Sequence, residues 1–215
     1  MHASNVTLAI APTLVLYDDL TSEAASGFAA ADRLAWDIET SGLNWLDAKI
    51  ATCQLYTPAM GVVVVQINGH RPTRLRRLLS DHRVAKVFHH APFDLRFMVG
   101  HWDVHPANVK CTKVASKLIE PDLPADQHSL QALVRRLLGI ELDKRQRRSD
   151  WMAQELSPEQ LTYAANDVKF LLPLIDELER RASSVRLADL LQRCFDHLPT
   201  RAELEARGYE DIYSY

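Results

Sequence analysis

The chain reads as an α/β fold in which a mixed β-sheet is flanked by α-helices. Three observations predict it. Three runs rich in β-formers follow one another closely, at Leu34–Glu39, Ile50–Tyr56 and Val62–Ile67, with turns around TSGLN and Pro58–Gly61 between them, and such spacing predicts an antiparallel meander. After Pro72 helical and strand patterns alternate, as they do where crossover helices join parallel strands. Hydrophobic residues make up 47% of the 215, enough to bury one sizeable core. No internal repeat or low-complexity linker divides the chain, so residues 1–215 read as one domain.

The elements follow in order. Residues 1–11 carry no clear pattern, and Thr13–Tyr17 (TLVLY) is a short strand. Thr21 or Ser22 offers an N-cap, with Glu23 in the first turn, for an alanine-rich helix ending near Ala31. After the meander, RPTRLRRLLS is helical, Val84–His89 is a strand, and Pro92–Trp102 is a helix with its proline near the start. Val109–Cys111 is a further short strand. Thr112–Ile119 and His128–Leu138 are helices, the second stopped by Gly139. Asp143–Trp151 (DKRQRRSDW) is polar and basic, an exposed loop. Ser157, Pro158 and Gln160 then supply N-cap, N1 and N3 of a capping box, opening the helix that contains LTYAANDVK. A helix around Leu187–His197 follows, and Thr200 with Glu203 caps a last one. The closing YEDIYSY is long for an ordered tail unless it packs on something, so the helical part from about 183 to 215 is expected to meet a neighbouring subunit.

The net charge of −3 argues against a broad cationic surface holding long duplexes, because such binding is mostly phosphate neutralisation. Short nucleic acids, or a charged substrate met by metal ions, remain compatible. Cys53, Cys111 and Cys194 are odd in number and include no CxxC pair, so neither a disulfide framework nor a zinc ribbon is suggested and a reduced cytoplasmic setting is expected. There is no apolar run of membrane-spanning length and no basic-then-apolar leader pattern. His101 and His105 have helical zinc spacing, but Asp103–Pro106 reads as a loop.

Five residues bear chemistry. Asp37 and Glu39 sit at i and i+2 on a strand, so both carboxylates point to one face. Their repulsion is relieved where a cation lies between them; the alternative is a solvated strand face, for which Leu34, Trp36 and Ile38 make a poor exposed edge. Asp94 lies in the first turn of a helix just beyond a strand, where a carboxylate commonly complements the helix dipole and where open α/β sheets bind anionic ligands. Tyr163 and Asp167 are four residues apart on one helix face, either a satisfied buried tyrosine beside a surface acid or a working pair. Four carboxylates without a histidine-rich core form an oxygen-donor set suited to Mg²⁺ or Mn²⁺ rather than zinc. Two such ions about 3.5–4 Å apart serve phosphodiester displacement.

The order D-x-E, then H-x-x-x-F-D, then Y-x-x-x-D resembles the DEDDy branch of 3′→5′ exonucleases, specifically the ribonuclease D group. WDIETSGL is similar to that group's first motif, VFHHAPFDL to its second and SDWMAQELSPEQLTYAANDV to its third. The resemblance runs from about Asp37 to Asp176. It implies a ribonuclease H-like fold and two-metal hydrolysis releasing nucleoside 5′-monophosphates. By position, Asp37 would contact both ions, Glu39 and Asp167 would complete the nucleophile side, Asp94 would hold the second ion, and Tyr163 would orient the attacking water. Thr40 and Leu43 match positions along the terminal nucleotide, and His89 a histidine near the substrate. Lys144, in the basic loop before the third motif, is placed to neutralise phosphate. Where ribonuclease D continues after SDW with R-P-L, this chain has MAQELS, and His90-Ala91-Pro92 is a second departure. CTKVASKL and RCFDHLPTRAELEARGYEDIY instead resemble the nano-RNase C branch, which implies short RNA or dinucleotides as substrate and assembly as a homo-oligomer, an octameric ring. The alternatives are an exonuclease on longer RNA or DNA and a non-catalytic nucleic-acid-binding scaffold.

Overall fold

Strands with strongly apolar interiors build the centre of the molecule. The structure, a computed structural model, describes residues 13–67, 71–142, 149–209 and 212. The strands are β1 (Leu14–Tyr17), β2 (Arg33–Thr40), β3 (Ile50–Thr57), β4 (Gly61–Gln66), β5 (Ala85–Phe88) and β6 (Val109–Cys111). They form a six-stranded sheet in the order β1-β4-β3-β2-β5-β6. β2–β3 and β3–β4 pair antiparallel, giving the expected meander. β1–β4, β2–β5 and β5–β6 pair parallel, so the sheet is mixed as expected. β3, β4 and β5 are buried along nearly their whole length; β4 reads accordingly as a continuous apolar run, while β3 and β5 also bury Thr52, Gln54 and Lys86.

The helices are α1 (Ser22–Ala29), α2 (Thr73–Leu79), α3 (Ala91–Trp102), α4 (Thr112–Ile119), α5 (Leu130–Leu133), α6 (Pro158–Lys169), α7 (Leu171–Ser184) and α8 (Ala188–Ala206). Thr21 caps α1, its hydroxyl accepting from the Ala24 amide at 3.1 Å. α6 lies against β2, β3 and β4, α7 packs on α4, and α8 runs along α3. No described helix is long and apolar enough to cross a membrane.

Three helical assignments change. His128 belongs to a 3₁₀ turn over Ala125–His128, not to the following helix. Ser129 is extended and caps α5 from outside, after which a π-helical turn, Val134–Leu138, runs to Gly139 at φ 71°. The helix that contains LTYAANDVK ends at Lys169 with Phe170 as its C-cap, and α7, unassigned from sequence, starts at Leu171. Pro173, in the first turn of α7, has no N–H for the Lys169 carbonyl. Thr200 caps nothing: α8 continues past Pro199 to Ala206. Leu191, Phe195, Leu198 and Ala202 are buried on either side of that proline, so burial offsets the one helical hydrogen bond it removes.

Candidate active site

Asp37 and Glu39 stand toward the carboxyl end of β2, on the face opposite buried Trp36 and Ile38. On one side β3 runs alongside in register, Gln54 opposite Asp37 and Thr52 opposite Glu39. On the other side the parallel ladder to β5 ends at Ala35 and Val87. The Ile38 amide therefore has no strand partner there, and it donates to Asp94 Oδ1 at 3.3 Å. Asp94 is 3% exposed, in the first turn of α3.

α6 brings in the remaining pair. Its capping box is complete: the Ser157 hydroxyl accepts from the Gln160 amide at 3.2 Å, and Gln160 Oε1 accepts from the Ser157 amide at 2.9 Å. With the start of α6 so fixed, Tyr163 and Asp167 fall one turn apart over β2 and β3. Oxygens of Asp37, Glu39 and Asp167 all lie within 4.8 Å of one another. Asp94 is outside that set, though its charge is the strongest carboxylate influence on Asp37.

Burial raises the Asp37 carboxyl well above its ordinary range, and the charges of Asp94, Asp167 and Glu39 add to the rise. Burial likewise raises Asp94. The Tyr163 hydroxyl is pushed upward by burial, then by Asp167, Glu39 and Asp37, and a hydrogen bond to Asp167 holds its proton. The cluster is thus a set of hard oxygen donors packed against mutual repulsion. A divalent cation of the Mg²⁺ or Mn²⁺ type fits it, because it takes oxygen ligands and cancels the repulsion.

Thr40, Leu43 and His89 stand at or just beyond the carboxyl ends of β2 and β5. The Thr40 hydroxyl donates to the Gly42 carbonyl at 2.7 Å, and Leu43, on the loop after β2, is 80% exposed. That loop is pinned from below, with His101 Nε2 2.9 Å from the Trp45 carbonyl. His101 is thereby engaged, and His105 lies in a loop, so the zinc spacing is not a site. His89 Nδ1 is 2.8 Å from the Thr112 hydroxyl, and burial, with Lys113 nearby, lowers this imidazole to about 3. Lys144 lies outside the described residues.

One close neighbour has no role in the sequence reading. Trp151 is 4% exposed and its ring sits 5.9 Å from that of Tyr163. Gln160 ties this segment to α6, donating to the Asp150 carbonyl at 2.9 Å and the Ser149 hydroxyl at 3.1 Å. The tryptophan in SDW was the available signal, but a tryptophan alone reads as core.

The loop's anchorage gives a test. A Cβ at Gly100 would lie 2.5 Å from the Trp45 ring. Gly100→Ala is expected to displace Trp45 and cost about 1–3 kcal/mol, read as a lower midpoint in urea titration; an unchanged midpoint would mean the loop is not held there.

A family model described as 3′–5′ exonuclease matches residues 12–183. Ribonuclease D of Xanthomonas oryzae is 37% identical over 107 residues, covering 50% of this chain and 29% of that protein. DNA polymerase I of Aquifex aeolicus is 38% identical over 104 residues, covering 48% of this chain and 17% of that protein. The chain thus spans well under half the length of these curated relatives. Among solved structures, Brucella melitensis NrnC bound to pGG superposes with a TM-score of 0.85 at 33% identity, covering 95% of this chain and 100% of that one. The same protein has also been solved with bound Mg²⁺.

Proposed function

Because the chain belongs to the 3′–5′ exonuclease family, in its ribonuclease D-like group, we propose that it hydrolyses short oligoribonucleotides, down to dinucleotides, to nucleoside 5′-monophosphates. The observation that carries this substrate class is the end-to-end likeness to a structure bound to pGG. In this reading Asp37, Glu39, Asp94 and Asp167 hold two divalent ions, Mg²⁺ or Mn²⁺. Bound ions would acidify a water and stabilise the departing oxygen.

The protein's own groups do the positioning. Asp37 and Glu39 are fixed by an interior strand that pairs with β3 at both positions. Asp167 closes the set from α6. Tyr163 donates its proton to Asp167, which leaves the phenolic oxygen free to accept a hydrogen bond from the attacking water and aim it. Thr40, Leu43 and His89 line the approach of the terminal nucleotide, and Lys144 offers a charge for phosphate.

Incubating the protein and Mn²⁺ with 5′-labelled RNAs from dinucleotides to long oligomers, beside the matching DNAs, tests the reading. Dinucleotides are expected to be cleaved fastest. Equal rates at every length would remove the short-RNA preference, and faster DNA cleavage would move the substrate class.

The same reading makes residues 1–215 one exonuclease domain that works as a homo-oligomer, an octamer by the family resemblance. Tyr209 and Ile212 support this, being 57% and 54% exposed beyond the end of α8. A variant ending at Gly208 is expected to show a smaller mass by light scattering than the full chain; identical masses would place the contact elsewhere.

A further inference from the structure

We propose that a second cleft, at the carboxyl ends of β1 and β4, is a subsite for a nucleobase of the substrate; this rests on the nuclease reading above. The cleft has a volume of about 210 Å³ and is lined chiefly by Tyr17, Gln66, Ile67, Trp151, Met152 and Ala153. β1, β2 and β4 all run in the same direction. Their carboxyl ends, bearing Tyr17, Glu39 and Gln66, therefore meet at one end of the sheet, the end at which open sheets bind ligands. Glu39, Thr52, Gln66 and Tyr17 are register partners across four adjacent strands. At about 4.8 Å per strand, Gln66 stands roughly 10 Å from Glu39, within the span of one nucleotide.

The walls hold unspent hydrogen-bonding capacity. Gln66 is 5% exposed and Trp151 4%. Gln66 Nε2 donates to the Ala153 carbonyl at 3.0 Å, which fixes the amide. Gln66 Oε1 and Trp151 Nε1 are buried and have no hydrogen-bond partner among the described residues. Buried polar atoms rarely stay unpaired, and the cleft both residues line is where a partner fits. A bridging water occupies about 30 Å³, so the cleft is far larger than one water needs. A ligand with one donor for Gln66 Oε1 and one acceptor for Trp151 Nε1 would satisfy both. The base-pairing edge of every nucleobase presents a donor beside an acceptor, so the subsite reads the presence of a base rather than its identity. Tyr17 and Met152 offer partly exposed apolar surface at the mouth, and base stacking on an aromatic ring is equally tolerant of sequence. Trp151 also packs against the Tyr163 ring at 5.9 Å, so the cleft adjoins the residue bonded to Asp167.

The test uses the full chain carrying ¹⁵N-labelled tryptophan, without metal and with adenosine, which has no phosphate for the carboxylate centre. The Trp151 indole N–H resonance is identified by its loss in Trp151→Phe. Adenosine is expected to shift that resonance saturably, ribose 5-phosphate to leave it in place, and Gln66→Leu to weaken adenosine binding at least tenfold. An indole resonance unmoved by saturating adenosine overturns the proposal, as does Gln66→Leu binding with wild-type affinity; the first holds even if Gln66→Leu does not fold. Because the readout is binding, absence of RNA cleavage by a protein that still binds adenosine would count against the nuclease reading and leave the subsite standing.

Discussion

Asp167→Ala is expected to lower hydrolysis of a dinucleotide by at least about 10³-fold, equivalent to ~4 kcal/mol of lost transition-state stabilisation, while the protein remains folded. The oxygens of Asp37, Glu39 and Asp167 share a volume 4.8 Å across, and α6 contributes only the last of them. Removing it opens one side of the cluster. It also withdraws one of the negative charges that press on Asp37, so the metal-free protein has repulsion relieved to set against the hydrogen bond lost by Tyr163. Circular dichroism should show the wild-type spectrum. The thermal midpoint of the wild type should rise with Mn²⁺, as it does for any ligand bound only by the folded state, and that rise should be largely lost in the variant. Activity within tenfold of wild type would remove Asp167 from the ligand set.

Tyr163→Phe should behave differently. A kcat reduced about 10²-fold is expected, the lower end of what a positioned proton-transfer or water-orienting group supplies, with the Mn²⁺-induced rise in midpoint preserved. The ring keeps its packing on Trp151, and only the hydroxyl bonded to Asp167 is lost. A variant that lost metal stabilisation together with activity would make Tyr163 part of the ion-holding set. Wild-type kcat would leave it a packing residue.

The contrast between these two residues shows how far the sequence reaches. Their spacing on a helix face follows from the 3.6-residue repeat, and the start of that helix from a capping box spelled out in Ser157, Pro158 and Gln160. Asp37 and Glu39 were equally legible, since strand alternation needs no tertiary knowledge. The meander was legible because each of its turns is short and local. What the sequence did not show depends on contacts between distant segments. The bond from the Ile38 amide to Asp94 arises only because the β2–β5 ladder ends at Ala35, and no local pattern marks that end. Trp151 meets Tyr163, and Gln66 meets the segment before α6, through the packing of separate elements. The misplaced helix boundaries have the same origin. Thr200 and Glu203 spell a cap, yet burial of Phe195, Leu198 and Ala202 carries α8 through Pro199 regardless.

Asp94 serves the backbone, whatever it does for the metal centre. Its carboxylate occupies the gap where β2 parts from β5 and is the acceptor for the Ile38 amide. Losing Asp94 would strand a buried amide in the central strand, a cost that does not depend on catalysis. A relative that no longer catalysed would therefore still need a hydrogen-bond acceptor at the position of Asp94.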